Sequence, residues 1–188
     1  MSARNYAARA FEFSRQFMFR WTVNWRFVGE HTFLSTRFSL VLLAAHAGLI
    51  AVFLSTRWLH TSLPHAIQQF VSPPSPKVEA QIARRVTPDL VLTTILSAVA
   101  IGCLSARSLH YQFYAYIAWS TPFLLWRSGL HPVLIYAVWT AQEWAWNVYP
   151  SSNASSMTVV GCLAVQVFSI WLGTGEDAAD ERDKKHVE

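Results

Sequence analysis

The sequence predicts an all-α, multi-span helical membrane protein, and three observations predict it. Of 188 residues, 53% are hydrophobic and only 14% charged, against about 25% charged in ordinary soluble domains. Phe38 to Ser55 and Leu90 to Ala106 carry no formal charge and approach the ~20 apolar residues that a membrane crossing needs. Nine tryptophans suit a chain whose aromatic rings sit at membrane–water boundaries. The formal net charge is +4, and twelve of the fifteen basic residues are arginine. These are interleaved with apolar spans, so the charge forms no solvated patch of the kind that reads nucleic acid. Cys103 and Cys162 both lie inside apolar runs and read as buried thiols rather than a disulfide or a metal site.

Residues 1–37 form an arginine- and aromatic-rich region. Its six arginines and lack of a clean apolar core argue against a cleavable signal peptide. Within it Ser14 to Glu30, SRQFMFRWTVNWRFVGE, reads as an interfacial helix: at 100° per residue Arg15, Thr22 and Arg26 share one side, while aromatic rings surround the rest. Gly29 breaks it. Such a segment suits the membrane interface or a cleft between protein and lipid, and its guanidinium groups suit multi-donor binding of phosphate.

The membrane bundle follows, over 38–172, with about five helices. The first is 38–55. His46, in its middle, reads as a hydrogen-bonded packing residue, although an ionisable group inside a span marks a place to look for function. Arg57 and Trp58 close it as interface anchors. The loop 57–88 holds five of the eight prolines; SPPSPK reads as extended, and Lys77, Arg84 and Arg85 make the loop basic. The second helix is 90–106, with Asp89 as the expected cap. Helices 113–126 (interrupted by Pro122), 132–146 and 157–172 are short for a ~30 Å hydrocarbon core and suit a thinner membrane or burial among neighbours. The charged tail 173–188 reads as disordered and solvated.

A short basic loop marks the cytosolic side. With 57–88 placed there, the arginine-rich region, Arg107–Tyr111 and the loop 149–156 all fall on the opposite face, and Arg127 and the tail are cytosolic. The first 37 residues then carry six arginines against Glu12 and Glu30 on the non-cytosolic side, contrary to the positive-inside rule. Either the topology is inverted, or a bound anion holds those arginines there.

Two further constellations lie on the same face. Arg107-Ser108-Leu109-His110-Tyr111 puts a fixed cation and an imidazole at a membrane boundary, suited to phosphate or sugar hydroxyls; an ordinary turn with boundary aromatics is the competing reading. Glu143 to Pro150, EWAWNVYP, places a carboxylate inside an apolar run. Its simplest role is counter-charge to an arginine, with base or sugar ligand as alternatives. Trp146, Asn147 and Tyr149 are sugar-binding side chains in type. No glycine-rich phosphate loop, zinc spacing or Ser/His/Asp pattern is present.

Together, SRQFMFRWTVNWRFVGE with FLSTRFS, ARSLHYQFYAYIAWSTPFLLWRS and EWAWNVYPSS resemble the dolichyl-phosphate-mannose-dependent α-1,3-mannosyltransferases of the endoplasmic reticulum. The match runs in order from about Ala8 to Leu172, with the loop 61–88 as its variable part. The resemblance implies the C-terminal part of a polytopic, GT-C-like glycosyltransferase in the endoplasmic reticulum membrane, with a luminal active face. The implied mannose donor is dolichyl-phosphate-mannose, and the acceptor is a dolichyl-diphosphate-linked five-mannose oligosaccharide of N-glycan assembly. Neither metal nor cofactor is implied. Arg15, Arg20, Arg26, Arg107 and His110 match motif positions and become candidates for binding the donor phosphate; Trp146, Asn147 and Tyr149 are the sugar-binding candidates. The catalytic base is expected in a luminal loop upstream of this segment, which leaves Glu143 a weak substitute within it. The competing class is a non-enzymatic lipid-binding or scaffold protein derived from the same fold.

Overall fold

The structure is a computed structural model. It describes residues 18–59 and 75–175, with isolated positions of the intervening loop (62, 64, 67, 68, 71 and 72). Arg15 and the tail from residue 176 lie outside the described residues.

The first described segment is not an α-helix. It folds as two 3₁₀ turns, Phe19–Trp21 and Arg26–Val28, flanking an extended strap at Thr22–Asn24. Two backbone positions force the change. Trp25 takes a left-handed conformation, φ 54°, and Gly29 a φ of 82°; neither belongs to a right-handed helix, and only glycine adopts the latter without strain. Polar Asn24 supplies a tertiary anchor that competes with helical pairing.

Helix α1, Glu30–Leu34, is a single short turn. Helix α2, Thr36–Phe53, begins at Ser35, whose hydroxyl accepts from the Phe38 amide, and continues through a π-turn, Leu54–Trp58. Helix α3, Pro76–Arg85, occupies part of the stretch expected to be extended. Proline is tolerated there because it opens the helix, where its missing N–H would have had no partner. Helix α4 is Pro88–Ser105. Its cap is Thr87 rather than Asp89, which instead sits in the first turn, where a carboxylate complements the helix dipole. Helix α5, Tyr114–Arg127, runs through Pro122 without breaking. Helix α6 is Pro132–Asn147, capped by His131. Helix α7, Asn153–Gly173, starts earlier than the apolar run does, because Ser152 and Ser155 form a reciprocal capping box.

Among the described residues, three helices are long and apolar enough to cross a membrane: Thr36–Trp58, Pro88–Ser105 and Asn153–Gly173. The chain is an all-helical membrane protein, and no strand occurs among the described residues.

Helix α7 is the hub, packed against α4, α5 and α6, while α2 packs on α4. One core cluster, including Phe53, Ile101, Leu124, Val167 and Ile170, ties α2, α4, α5 and α7 together. A second joins Val23 of the strap to Leu109, Ile117, Trp146, Val159 and Leu163. Between helices α5, α6 and α7 the fully buried side chains of Thr121, Gln142 and Gln166 satisfy one another: Gln142 Nε2 donates to Thr121 Oγ1 at 2.9 Å, and Gln166 Nε2 to Gln142 Oε1 at 2.7 Å. Paired in this way, polar groups are tolerated in an apolar bundle and fix helix rotation.

Candidate functional site: two clefts beside a pinned strap

Thr22, Val23 and Asn24 are fully buried, so the strap is a structural member rather than a surface loop. Val23 N donates to Leu109 O at 2.9 Å. The Asn24 amide bridges two points of the α4–α5 connection: its Nδ2 donates to Ala106 O at 2.6 Å, and its Oδ1 accepts from Leu109 N at 2.8 Å. Thr22 Oγ1 lies 2.9 Å from the same Oδ1. Further along, Phe27 N donates to Ser156 Oγ at 3.2 Å, and the Tyr111 hydroxyl donates to Val148 O at 2.7 Å. Segments near residues 20–30, 106–113 and 148–156 thus converge at one end of the bundle. At the other end Arg57 stacks on Trp171, 4.6 Å from the ring centroid, and donates to its carbonyl at 2.6 Å.

On one side of the strap lies a cleft of about 370 Å³ lined by Arg20, Trp21, Thr22, Arg26, Tyr111, Tyr149, Pro150 and Ser151. Arg20 is exposed and lies 5.5 Å from the Trp21 ring centroid. Arg26 is half-buried, 5.1 Å from the Phe19 ring centroid, and its Nη1 is buried with no hydrogen-bond partner. The Ser151 hydroxyl is likewise buried and unpartnered. Buried donors without partners are rare because each forfeits its hydration; here a cation and a hydroxyl line one cleft, which is the chemistry of an anion site. Burial pushes the Tyr111 hydroxyl pKa above its ordinary value; neighbouring Tyr149 adds to the shift, and a hydrogen bond with the Ser151 backbone and the charge of Arg26 partly offset it. The phenol therefore stays protonated and can donate. Tyr149, 71% exposed, offers a ring face at the mouth and packs against Tyr111 at 5.7 Å.

A separate groove of about 520 Å³ runs between α2 and α4, lined by Thr36, Ser39, Leu42, Leu43, His46, Gly102, Ser105, Ala106 and Arg107. Arg107 Nη1 donates to Ser39 Oγ at 2.8 Å, and its guanidinium lies 6.0 Å from the Phe33 ring centroid.

The structure therefore divides the candidates. Arg20, Arg26 and Tyr149 share the cleft, and Arg107 lines the separate groove. His110 lines neither and serves as the residue before the 3₁₀ turn Tyr111–Phe113. Trp146 is 4% exposed and stacked on Tyr114 at 5.4 Å, so its ring is core and presents no face to a sugar. Asn147 is exposed, but its amide donates to Glu143 O within its own helix at 2.7 Å. The Glu143 carboxylate accepts from the Tyr114 hydroxyl rather than from an arginine, and it does not line the cleft. His46 is half-buried in the groove wall, and no hydrogen bond is recorded for its ring among the described residues. The sequence reading missed Asn24, the residue that holds the strap. Its signal was a lone amide in an otherwise aromatic run. Among the described residues, no group of three or more His, Cys, Asp or Glu is placed to hold a metal ion.

The ALG3 protein family model matches residues 1–156. A Neurospora crassa relative, a Dol-P-Man:Man(5)GlcNAc(2)-PP-Dol alpha-1,3-mannosyltransferase, is 56% identical over 179 residues, covering 92% of this chain and 40% of its own length. Relatives of the same name from Homo sapiens and Arabidopsis thaliana are 39% and 33% identical, covering 89% and 92% of this chain and 38% and 41% of their own lengths. The chain thus spans about two fifths of the relatives that it matches. No solved structure matches it significantly. With the family model spanning the strap, the arginine cleft and the helices that hold them, the chain belongs to the ALG3 protein family.

Proposed function

We propose that this chain is the donor-side segment of an endoplasmic reticulum mannosyltransferase. The enzyme moves mannose from dolichyl-phosphate-mannose, in α-1,3 linkage, to the five-mannose dolichyl-diphosphate-linked oligosaccharide, at the luminal face. The observation that carries this reading is the buried, unpartnered Arg26 Nη1 in a cleft that also holds Arg20 and Tyr149. Two guanidinium groups receive the phosphate, and the tyrosine ring faces give the mannose a platform. Names of the relatives offer nothing in favour of the non-enzymatic lipid-binding alternative.

In the reaction, an acceptor hydroxyl attacks the anomeric carbon of mannose as the bond from that carbon to the phosphate oxygen breaks. Negative charge grows on the departing dolichyl phosphate. Arg20 and Arg26, fixed before the reaction by the strap, stabilise that charge where it develops. The hydroxyl proton passes to a carboxylate belonging to the enzyme's remaining segments; Glu143, engaged by Tyr114 away from the cleft, does not take that role. Arg15 matches the same motif and is proposed as a further phosphate ligand.

Expressing the complete gene product in cells that lack this mannosyltransferase tests the reading. The lipid-linked oligosaccharide pool, resolved by size, is expected to shift from the five-mannose to six-mannose and larger species. A pool arrested at five mannoses despite normal protein levels would refute it.

A further inference from the structure

We propose that the groove between α2 and α4 is a second lipid-phosphate site, separate from the arginine cleft, and that it holds the diphosphate and first isoprene units of the acceptor lipid. The inference rests on the reading above, in which both substrates are polyprenyl phosphates.

Thr36, Ser39, Leu43 and His46 recur at three- and four-residue steps and so share one face of α2. Three of the four are polar, and apart from Arg37 the rest of α2 is apolar. From the opposite wall the Ser105 hydroxyl, 8% exposed, lines the groove with no hydrogen-bond partner. An unsatisfied hydroxyl and an imidazole in a membrane span are costly, and a polar ligand in the groove removes the cost. The ligand carries negative charge, because Arg107 stands at the mouth. It also carries an apolar tail, because Leu42 and Leu43 form part of the wall.

The length of the polar strip selects the diphosphate. From Ser39, which accepts from Arg107, to His46 is seven residues, about 10 Å along the helix. A monophosphate occupies one end of such a strip; a diphosphate extends along it. The arginine cleft, with cations and a sugar platform side by side, suits a mannosyl monophosphate. The two sites share no lining residue, so each substrate has its own wall.

Gly102 provides the test. A Cβ built there meets only His46 Cε1, at 3.9 Å across the groove, so the backbone tolerates a side chain while a larger one fills the space without altering any charge. Microsomes carrying the complete gene product would be irradiated with a polyprenyl diphosphate bearing a diazirine in its first isoprene unit, or with its monophosphate twin. Labelled peptides from α2 and α4 would be quantified. The diphosphate probe is expected to label both helices at least tenfold more than the monophosphate probe. Gly102→Leu should cut that labelling at least tenfold and raise KM for the acceptor lipid, leaving KM for the mannosyl donor in place. Val41→Phe, on the outer face of α2, should change neither. Equal labelling of wild type and Gly102→Leu would overturn the proposal, as would preference for the monophosphate or competition by bulk phospholipid alone. Labelling requires no turnover, so probe capture in an inactive protein would refute the transferase reading and leave the groove standing. Unchanged acceptor KM and labelling in an active Gly102→Leu enzyme would refute the groove alone.

Discussion

Arg26→Ala is expected to lower kcat/KM for the mannosyl-lipid donor by roughly 30- to 150-fold, the equivalent of about 2–3 kcal/mol of lost charge-assisted hydrogen bonding. Its Nη1 is buried and makes no hydrogen bond within the protein; what holds the side chain is the Phe19 ring beneath it. Removal therefore costs the fold little and the bound phosphate much. Arg26→Lys keeps a charge but loses the planar fork, so it should fall between wild type and alanine. Initial rates with the donor varied at fixed acceptor check this, alongside alkaline extraction to confirm membrane insertion. Wild-type rates in the alanine variant would remove Arg26 from the site.

Asn24→Ala is expected to do broader damage. The carboxamide bridges Ala106 O and Leu109 N from a position with no solvent exposure. Deleting it leaves a buried carbonyl and a buried N–H without partners, each costing about 1–3 kcal/mol. Against a typical stability of about 5–15 kcal/mol, this should lower Tm by roughly 5–15 °C. Activity should fall more than about 150-fold, beyond the single arginine variant by the same conversion, because Arg20 and Arg26 both hang on the strap. Asn24→Asp keeps the acceptor for Leu109 N but sets a carboxylate against the Ala106 carbonyl, so it should rescue little. A thermal melt of the purified protein alongside a transfer assay separates the two effects; a normal Tm with normal activity would show that the strap is not held as described.

The spans were legible because uncharged runs and capping residues are local signals. Phe38–Ser55 and Leu90–Ala106 differ from observed α2 and α4 by a turn or less. The arginine segment was legible in chemistry but not in shape. Its residue types suit an anion, while the positive φ values at Trp25 and Gly29 and the tertiary bonds of Asn24 convert an expected helix into a strap. Periodicity cannot register a bond from residue 24 to residue 106. The same limit explains Arg107. The charge-based topology puts it on the face of Arg26, but α4 ends with Ala106 in an extended conformation, and Arg107 goes to Ser39 of α2 instead. Trp146 resembled a sugar platform in type, whereas packing buried it against Tyr114. His46 faces Gly102 across the groove, a juxtaposition that no spacing along the chain encodes.

The central claim is that the cleft beside the strap holds the mannosyl phosphate. Tyr149→Cys places a thiol at its mouth, and the two thiols of this segment, Cys103 and Cys162, are buried. The rate of maleimide labelling would be followed in microsomes with dolichyl-phosphate-mannose, dolichyl phosphate or dolichol added at equal concentration. The account predicts that both phosphates slow labelling at saturation, the mannosyl form most, and that dolichol does not. Labelling at one rate under all three conditions would contradict it.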